Sequence, residues 1–521
     1  MAYKAPPPAV QLISHVLVWK LWEFFQCYRN KMTNHDTDRK GSYIPANQKD
    51  VEGCELFEII STKRGIWNQI ILSGAVLIVA AGCGMPIGYS AVLLPQLYNT
   101  SDLLQMDVQM GSWFASIHSL ATPFGSLVSG WAADRVGRRT ALLIASIPIL
   151  AGWTTLATAQ SHALLLIGRV VAGIGVGLVG APAQILIAEI ALPRIRGMLI
   201  GAPFISYSMG ILLVYTLGSQ LHWRLVAWLS TVLPILGTIA LFFTPESPTW
   251  LARKGLLEKA TSALTWLRGE ELLAKRELDE ILRRLKEEKT LEKSKEPIGS
   301  PILKSLIIIN AFNFLQILSG TFLVVFYAVD IISEIGAHFD NMTAAIMTAV
   351  VRLGVTVIFC ILLFVMRRRS MVLLSGLGSG VSALALGFYL LFQTDKTRTS
   401  VNTWITAGCI FLYIAFNTGF MILPGIMVGE LLPAKIRGSV SGYVFAAFNI
   451  ILFGVTKVFP YLQITLKTYG LFIMFGTASF IASLLMYLML PETKNLTLGQ
   501  IEDHFRSSSW LWITRKSRLK S

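Results

Sequence analysis

Carboxylates are scarce in this sequence: 30 Asp and Glu in 521 residues, against 45 Lys and Arg. Charged residues of either sign make up only 14% of the chain, where a soluble domain carries about 25%. Cysteine is scarce too. The five present (Cys27, Cys54, Cys83, Cys360 and Cys409) lie in the N-terminal tail or in apolar runs. No pair has metal-site spacing and none suits an extracellular disulfide, so they read as small buried hydrophobes. The motifs GxSxG, HExxH and the P-loop are missing, which removes the enzyme classes they mark and leaves no cofactor or metal implied. A cleavable leader is not evident. Residues 9–26, "AVQLISHVLVWKLWEFFQ", are apolar but hold a His, a Lys and a Glu and lack a small-residue cleavage site. They fit either a helix lying in the membrane interface or a tail with one adhesive patch, followed by a polar cytosolic linker.

What is abundant is hydrophobic sequence, at 54% of residues and a mean hydropathy of +0.59. The chain is therefore expected in a bilayer. A net charge of +15 would suggest nucleic acid in a soluble protein, but here the basic residues cluster in short loops, as the positive-inside effect requires. Apolar runs long enough to span occur near 69–96, 109–133, 140–159, 163–188, 199–219, 223–244, 303–332, 344–366, 371–393, 402–428, 440–463 and 469–490. That predicts twelve transmembrane helices and an all-α membrane protein. The layout is a tail (1–67), six helices (68–244), a polar insert (245–301), six more helices (302–490) and a second tail (491–521). Within the insert, "ELDEILRRLKEEK" has the spacing of a solvated amphipathic helix.

Lysine and arginine orient the spans. "DRVGRR", "PRIRG", the insert, "RRRS" and "PAKIRG" fall on one side with both tails, whereas "YNTSDLLQMDVQMGS" and "SEIGAHFDN" carry no Lys or Arg. Both termini are expected in the cytosol. Sequons at Asn99 and Asn341 then face outward as glycosylation sites, and the sequon at Asn495 stays inside and bare.

The two groups of six helices echo one another. "AEIALPRIRG" (188–197) matches "GELLPAKIRG" (429–438), and "PESPTW" matches "PETKNL". Glu189 thus pairs by position with Glu430, Arg196 with Arg437 and Glu246 with Glu492. "GWAADRVGRR" adds Asp134, Arg135, Arg138 and Arg139 around Gly137, which permits a tight turn. All are expected at one level, where guanidinium–carboxylate pairs could latch the inner side shut. The alternative is ordinary positive-inside loops with incidental acids.

Duplicated six-helix units around a central loop are the layout of the major facilitator superfamily. More narrowly, "GWAADRVGRR", "GRVVAGIGVGLVG" (168–180), "PESPTWL", "PETKNL" and the Glu-x6-Arg-Gly segments resemble the sugar porter family, particularly its insect facilitated-trehalose-transporter branch. The resemblance covers about residues 68–500. It implies a twelve-helix carrier, monomeric and in the plasma membrane, that moves sugars by alternating access without covalent chemistry. It also implies that Arg169, Arg368 and Arg369 belong with the gating residues above.

At the positions that hold sugar in this family the chain departs from the pattern. The seventh span usually reads "QQLSGxN"; here "LQILSGTFLVVFY" keeps Gln316 but has Ile317 and Phe322. The tenth usually reads "GPxPW", and "GFMILPGIMVGE" keeps Pro424 but puts Gly425 at the tryptophan. Phe204 stands where a Gln is usual in the fifth span. Asn449 survives in the eleventh, followed by Ile450 instead of Trp. "VMRRRS" has Phe364 in place of the acid and Arg367 in place of the glycine, so Asp134 lacks its counterpart. Ser90 replaces an Asp found in proton-linked relatives, which points to uniport. In the second span His118 fits either a hydrogen-bonded structural role or a relay, and Lys457 reads as a snorkelling side chain.

Arg352 is the sharpest anomaly, a cation about 24 Å deeper in its span than Arg368 at 1.5 Å per residue. A guanidinium at that depth must face protein or water. It either lines the solute cavity with Gln316 and Asn449, favouring an amphipathic or anionic solute, or holds free carbonyls near a helix break or Asp330. The sequence therefore predicts a facilitative carrier of a sugar such as trehalose or a hexose. The alternatives are a carrier of a non-sugar amphipathic or anionic solute, or a non-transporting sensor. The expected partners are a small solute and the lipid bilayer, not nucleic acid.

Overall fold

The protein is described by a computed structural model covering residues 62–98, 104–292, 300–327, 331, 341–392, 400–431 and 437–490. These belong to one compact unit, Ile59–Ser521. The apolar stretch at 9–26, Asn99, Asp330, Glu492 and Asn495 lie outside the described residues.

All regular structure among the described residues is helical. The first set is α1 (Lys63–Tyr98), α2 (Val108–Val136), α3 (Arg138–Ala157), α4 (His162–Ile190), α5 (Pro193–Gly218), α6 (Trp223–Leu229) and α7 (Val232–Phe242). Three helices of the insert follow: α8 (Pro248–Arg253), α9 (Leu257–Arg268) and α10 (Glu271–Glu292). The second set is α11 (Ser300–Leu318), α12 (Leu323–Phe326), α13 (Asn341–Val365), α14 (Arg368–Phe392), α15 (Ser400–Leu431) and α16 (Arg437–Met489).

Nine helical segments among the described residues are long and apolar enough to cross a membrane, with α6 and α7 counted together. The serine- and glycine-rich α2 and the shorter α11 correspond to the second and seventh predicted spans. The 53-residue α16 covers the eleventh and twelfth and breaks at Lys467, whose φ of 54° is not helical. The seventh run, read as continuous from the sequence, is interrupted after Leu318. Gly320 there has φ +83°, a left-handed conformation open to glycine at little steric cost.

Local signals set the helix ends. Asp107 caps α2 through Met110 N at 2.7 Å, and Ser247 caps α8 through Trp250 N at 3.2 Å. Gly137, with φ +105°, makes the one-residue turn between α2 and α3. Close approach of α2 and α4 needs glycine as well, since a Cβ on Gly125 or Gly177 would collide with the backbone of the other helix. Without a hydrophobic drive between helices in lipid, such small-residue contacts are a main source of packing energy.

Within the first set α2 packs on α4, α3 on α4 and α1 on α5; within the second α14 packs on both α15 and α16. The two sets meet where α16 runs along α2 and α13 along α5. The insert helices form a small core of their own around Leu251, Leu264 and Leu278. Arg268 fixes this core to the first set. Its guanidinium grips Glu277 at 2.6 and 2.7 Å and donates to Ile190 O at 3.2 Å.

Candidate solute cavity and its gates

The interface between the two helix sets encloses a cavity of about 1320 Å³, including its open mouth. Five of the predicted solute contacts, Phe204, Gln316, Phe322, Gly425 and Asn449, line it together. Ile317 and Arg352 do not. Ile317 is fully buried in the hydrophobic core. Arg352 is buried beside the break between α11 and α12, where Nη2 donates to Thr321 O at 3.3 Å and Nη1 approaches Met421 Sδ at 3.7 Å. The same break frees the Ser319 carbonyl, which accepts from Asn417 Nδ2 at 2.9 Å and from the Tyr413 hydroxyl. Arg352, Tyr413 and Asn417 thus satisfy backbone groups that a membrane interior leaves without water.

Side chains of both sets that the sequence reading did not single out also reach the cavity. Asn313 lies three residues before Gln316 and Phe445 four before Asn449, so each shares a helix face with a recognised contact. That periodicity is the signal that would have found them. His118 lines the cavity, is 3% exposed, and its Nδ1 has no partner among the described residues. Gln316 Oε1 is likewise without one. Thr122, Ser126 and Ser129 give their hydroxyl protons back to carbonyls of α2, at 2.8, 3.1 and 2.7 Å, leaving only acceptor lone pairs for a solute. Against these stand six aromatic rings: Phe204, Tyr207, Phe322, Phe326, Phe445 and Phe448. No Asp, Glu, Lys or Arg is among the described lining residues.

The cavity extends toward the end where α2 meets α3: it is lined by Ser129 and by the exposed Gln184, five residues before Glu189. Around that mouth three of the predicted latch residues of the first set, Asp134, Arg138 and Glu189, converge. Arg138, 3% exposed, bridges Asp134 at 3.0 Å and Glu189 at 3.2 Å, and Ser247 Oγ donates to Glu189. Glu246 accepts from the backbone N–H of Arg139 at 2.9 Å and of Thr140 at 3.2 Å, so it closes the first turn of α3. A Cβ on Gly137 would collide with this carboxylate. Arg139 turns away to Leu241 O at 2.7 Å and Phe242 O at 2.6 Å, and Arg135 lies 4.7 Å over the Trp131 ring.

In the second set Arg368 donates to Leu363 O at 2.6 Å, and Arg369 lies 4.3 Å over the Tyr487 ring. The backbones of Arg196, Asn341, Glu430 and Arg437 are helical, and their side chains, like that of Phe364, lie outside what is described. Arg169 sits elsewhere, fully buried near the opposite end of α4. It donates to Phe114 O at 3.2 Å, Pro86 O at 2.5 Å and Ser90 Oγ at 2.6 Å. At that opposite end the helix sets touch directly, with the Tyr215 hydroxyl donating to Val325 O at 2.6 Å.

A two-set helical membrane protein with its cavity on the interface has the major facilitator superfamily fold, and comparison with solved structures agrees. The xylose transporter XylE of E. coli in a partially occluded inward-open conformation superposes with a TM-score of 0.69, at 19% identity over 83% of this chain and 100% of that one. The XylE proton:xylose symporter bound to 6-bromo-6-deoxy-D-glucose gives 0.67, at 22% identity over 83% of this chain and 99% of that one. The family model described as "Sugar (and other) transporter" matches residues 63–505. The chain belongs to that sugar transporter family, a family of carriers and not of enzymes. Among curated relatives, the facilitated trehalose transporter Tret1 of Drosophila virilis is 32% identical over 443 residues, 84% of this chain and 48% of its own length. Trehalose transporter 1 of Drosophila melanogaster is 32% identical over 447 residues, 84% of this chain and 52% of its own. The chain spans about half the length of these relatives.

Proposed function

We propose that the protein is a facilitative carrier of a neutral hydroxylated solute, trehalose or a hexose, across the plasma membrane with both termini in the cytosol. The observation that carries this is the uncharged character of the described residues that line the interface cavity. An anion would lose its hydration there and gain no cation in return, whereas a polyol could use His118, Asn313, Gln316 and Asn449. Ser90 supports uniport. Its hydroxyl meets the buried Arg169, and a hydroxyl does not exchange a proton near neutral pH. On this reading the cavity opens alternately to each side. Glu430, Arg437 and Glu492 from the second set, with Arg196 from the first, would complete a cytosolic latch with Asp134, Arg138, Glu189 and Glu246.

One observation favours a second reading. Six aromatic rings around so few free donors suit an amphipathic solute with one apolar face as well as they suit a sugar. Uptake of labelled trehalose, glucose, polyols, neutral amphipathic compounds and organic anions into vesicles holding the purified protein separates these. Saturable uptake of a neutral hydroxylated compound is expected; uptake confined to anions would overturn both readings.

A further inference from the structure

At the end of the interface away from the ionic cluster, a lysine of one helix set is bonded into the other. Lys457, on α16, donates from Nζ to Ser112 Oγ on α2 at 2.7 Å. The same ammonium lies 4.0 Å over the ring of Trp113. Trp113 in turn meets Phe453, one turn before Lys457 on α16, with ring centroids 6.3 Å apart. Ser112 is fully buried, and Lys457 and Trp113 are half-buried. The contact is therefore shielded on one side.

We propose that Lys457 is a positioning residue for transport: it latches α16 to the second turn of α2 and so stabilises the state in which the cavity is shut at this end. A lysine that merely snorkels extends toward water or headgroups and takes no fixed partner. This one makes two direct contacts on the other helix set, beside the exposed Asp107 that caps α2, and each contact suits it chemically. A serine hydroxyl accepts from an ammonium, and an indole face attracts a cation more strongly than the other aromatic rings do. To admit solute from this end, the start of α2 and this part of α16 must separate, and both contacts are then lost together. An interaction present in only one of two states shifts the balance between them by its full strength. A charge-assisted bond with a partly desolvated cation–π contact is strong enough to bias that balance on the order of tenfold. The direct hydrogen-bond partner is a hydroxyl, and the neighbouring carboxylate, Asp107, is exposed to solvent. When the latch opens, no buried acid is left uncompensated, so the cost of release stays low.

The inference rests on the two-set carrier reading but on no particular solute, and its test needs none. Spin labels at Val108 and Tyr461, both exposed on α2 and α16 near this end, report the separation in the full chain with its five native cysteines replaced. In the parent a short-distance population should dominate. Lys457→Met should transfer a large share of it to longer distances, Ser112→Ala should do so in part, and Lys457→Arg should keep the parent distribution. If Lys457→Met and Ser112→Ala both fold and both retain the parent distances, Lys457 only snorkels and the latch is refuted. If Lys457→Met does not fold, Ser112→Ala alone decides, because it removes the acceptor and leaves the lysine in place. Failure of sugar uptake with an intact distance shift would instead count against the proposed solute and leave the latch standing.

Discussion

Phe204 and Gly425 fit one another across the cavity: a Cβ on Gly425 would lie 2.5 Å from Phe204 Cζ. Read separately in the sequence, the first is a Gln lost and the second a Trp lost. In three dimensions they are one exchange of volume between α5 and α15, in which a ring from one helix set takes the space vacated by the other. The two substitutions should therefore depend on each other. Gly425→Trp alone overpacks the site and should destabilise the protein by about 1–3 kcal/mol. Adding Phe204→Gln should recover most of that loss, with a coupling energy of about 0.5–3 kcal/mol in a thermal-unfolding double-mutant cycle. Additive losses would show that the rings do not share the space.

Arg352 acts on the scaffold in this structure. Arg352→Leu removes the donor to Thr321 O and should cost about 1–3 kcal/mol, the penalty for a buried carbonyl left without a partner. Arg352→Gln should retain part of that stability by keeping donors. Neither change should alter which solutes are carried, because the guanidinium is outside the cavity lining. Thermal unfolding and a competition panel check both halves of the expectation. A folded Arg352→Gln protein with altered solute preference would return Arg352 to the binding site.

Glu246 is expected to matter chiefly as the cap of α3. Glu246→Gln keeps one acceptor for the N–H groups of Arg139 and Thr140 but loses the charge that complements a helix N-terminus. It should destabilise by about 0.3–1 kcal/mol, and Glu246→Ala by about 0.5–2 kcal/mol. Hydrogen exchange should quicken first in the opening turn of α3. Unchanged protection there in both variants would make the carboxylate a bystander.

Much of the fold is legible in the sequence because a bilayer imposes length and hydropathy on every span. The duplicated Glu-x6-Arg-Gly segments point in the sequence to two related helix sets. The interruption at Gly320 is not legible, since the glycine lies in an apolar run where nothing forces a break until Tyr413, Asn417 and Arg352 are seen to take up the freed carbonyls. The site was half legible for a related reason. Gln316 and Asn449 stand in recognisable motifs, and Asn313 and Phe445 follow from them by helical period. Lys457 could not be told from a snorkelling lysine by sequence, because Ser112 and Trp113 lie in the other helix set and only packing brings them together.

The most direct test of a neutral, uncoupled carrier is solute accumulation in vesicles containing the purified protein, followed with and without an imposed proton gradient. Labelled trehalose or glucose should equilibrate to the external concentration and no further. The initial rate should be largely unchanged by an uncoupler, as expected for a cavity with no carboxylate among its described lining residues and for Ser90 beside Arg169. Accumulation above the external level that collapses when the uncoupler is added would contradict this account.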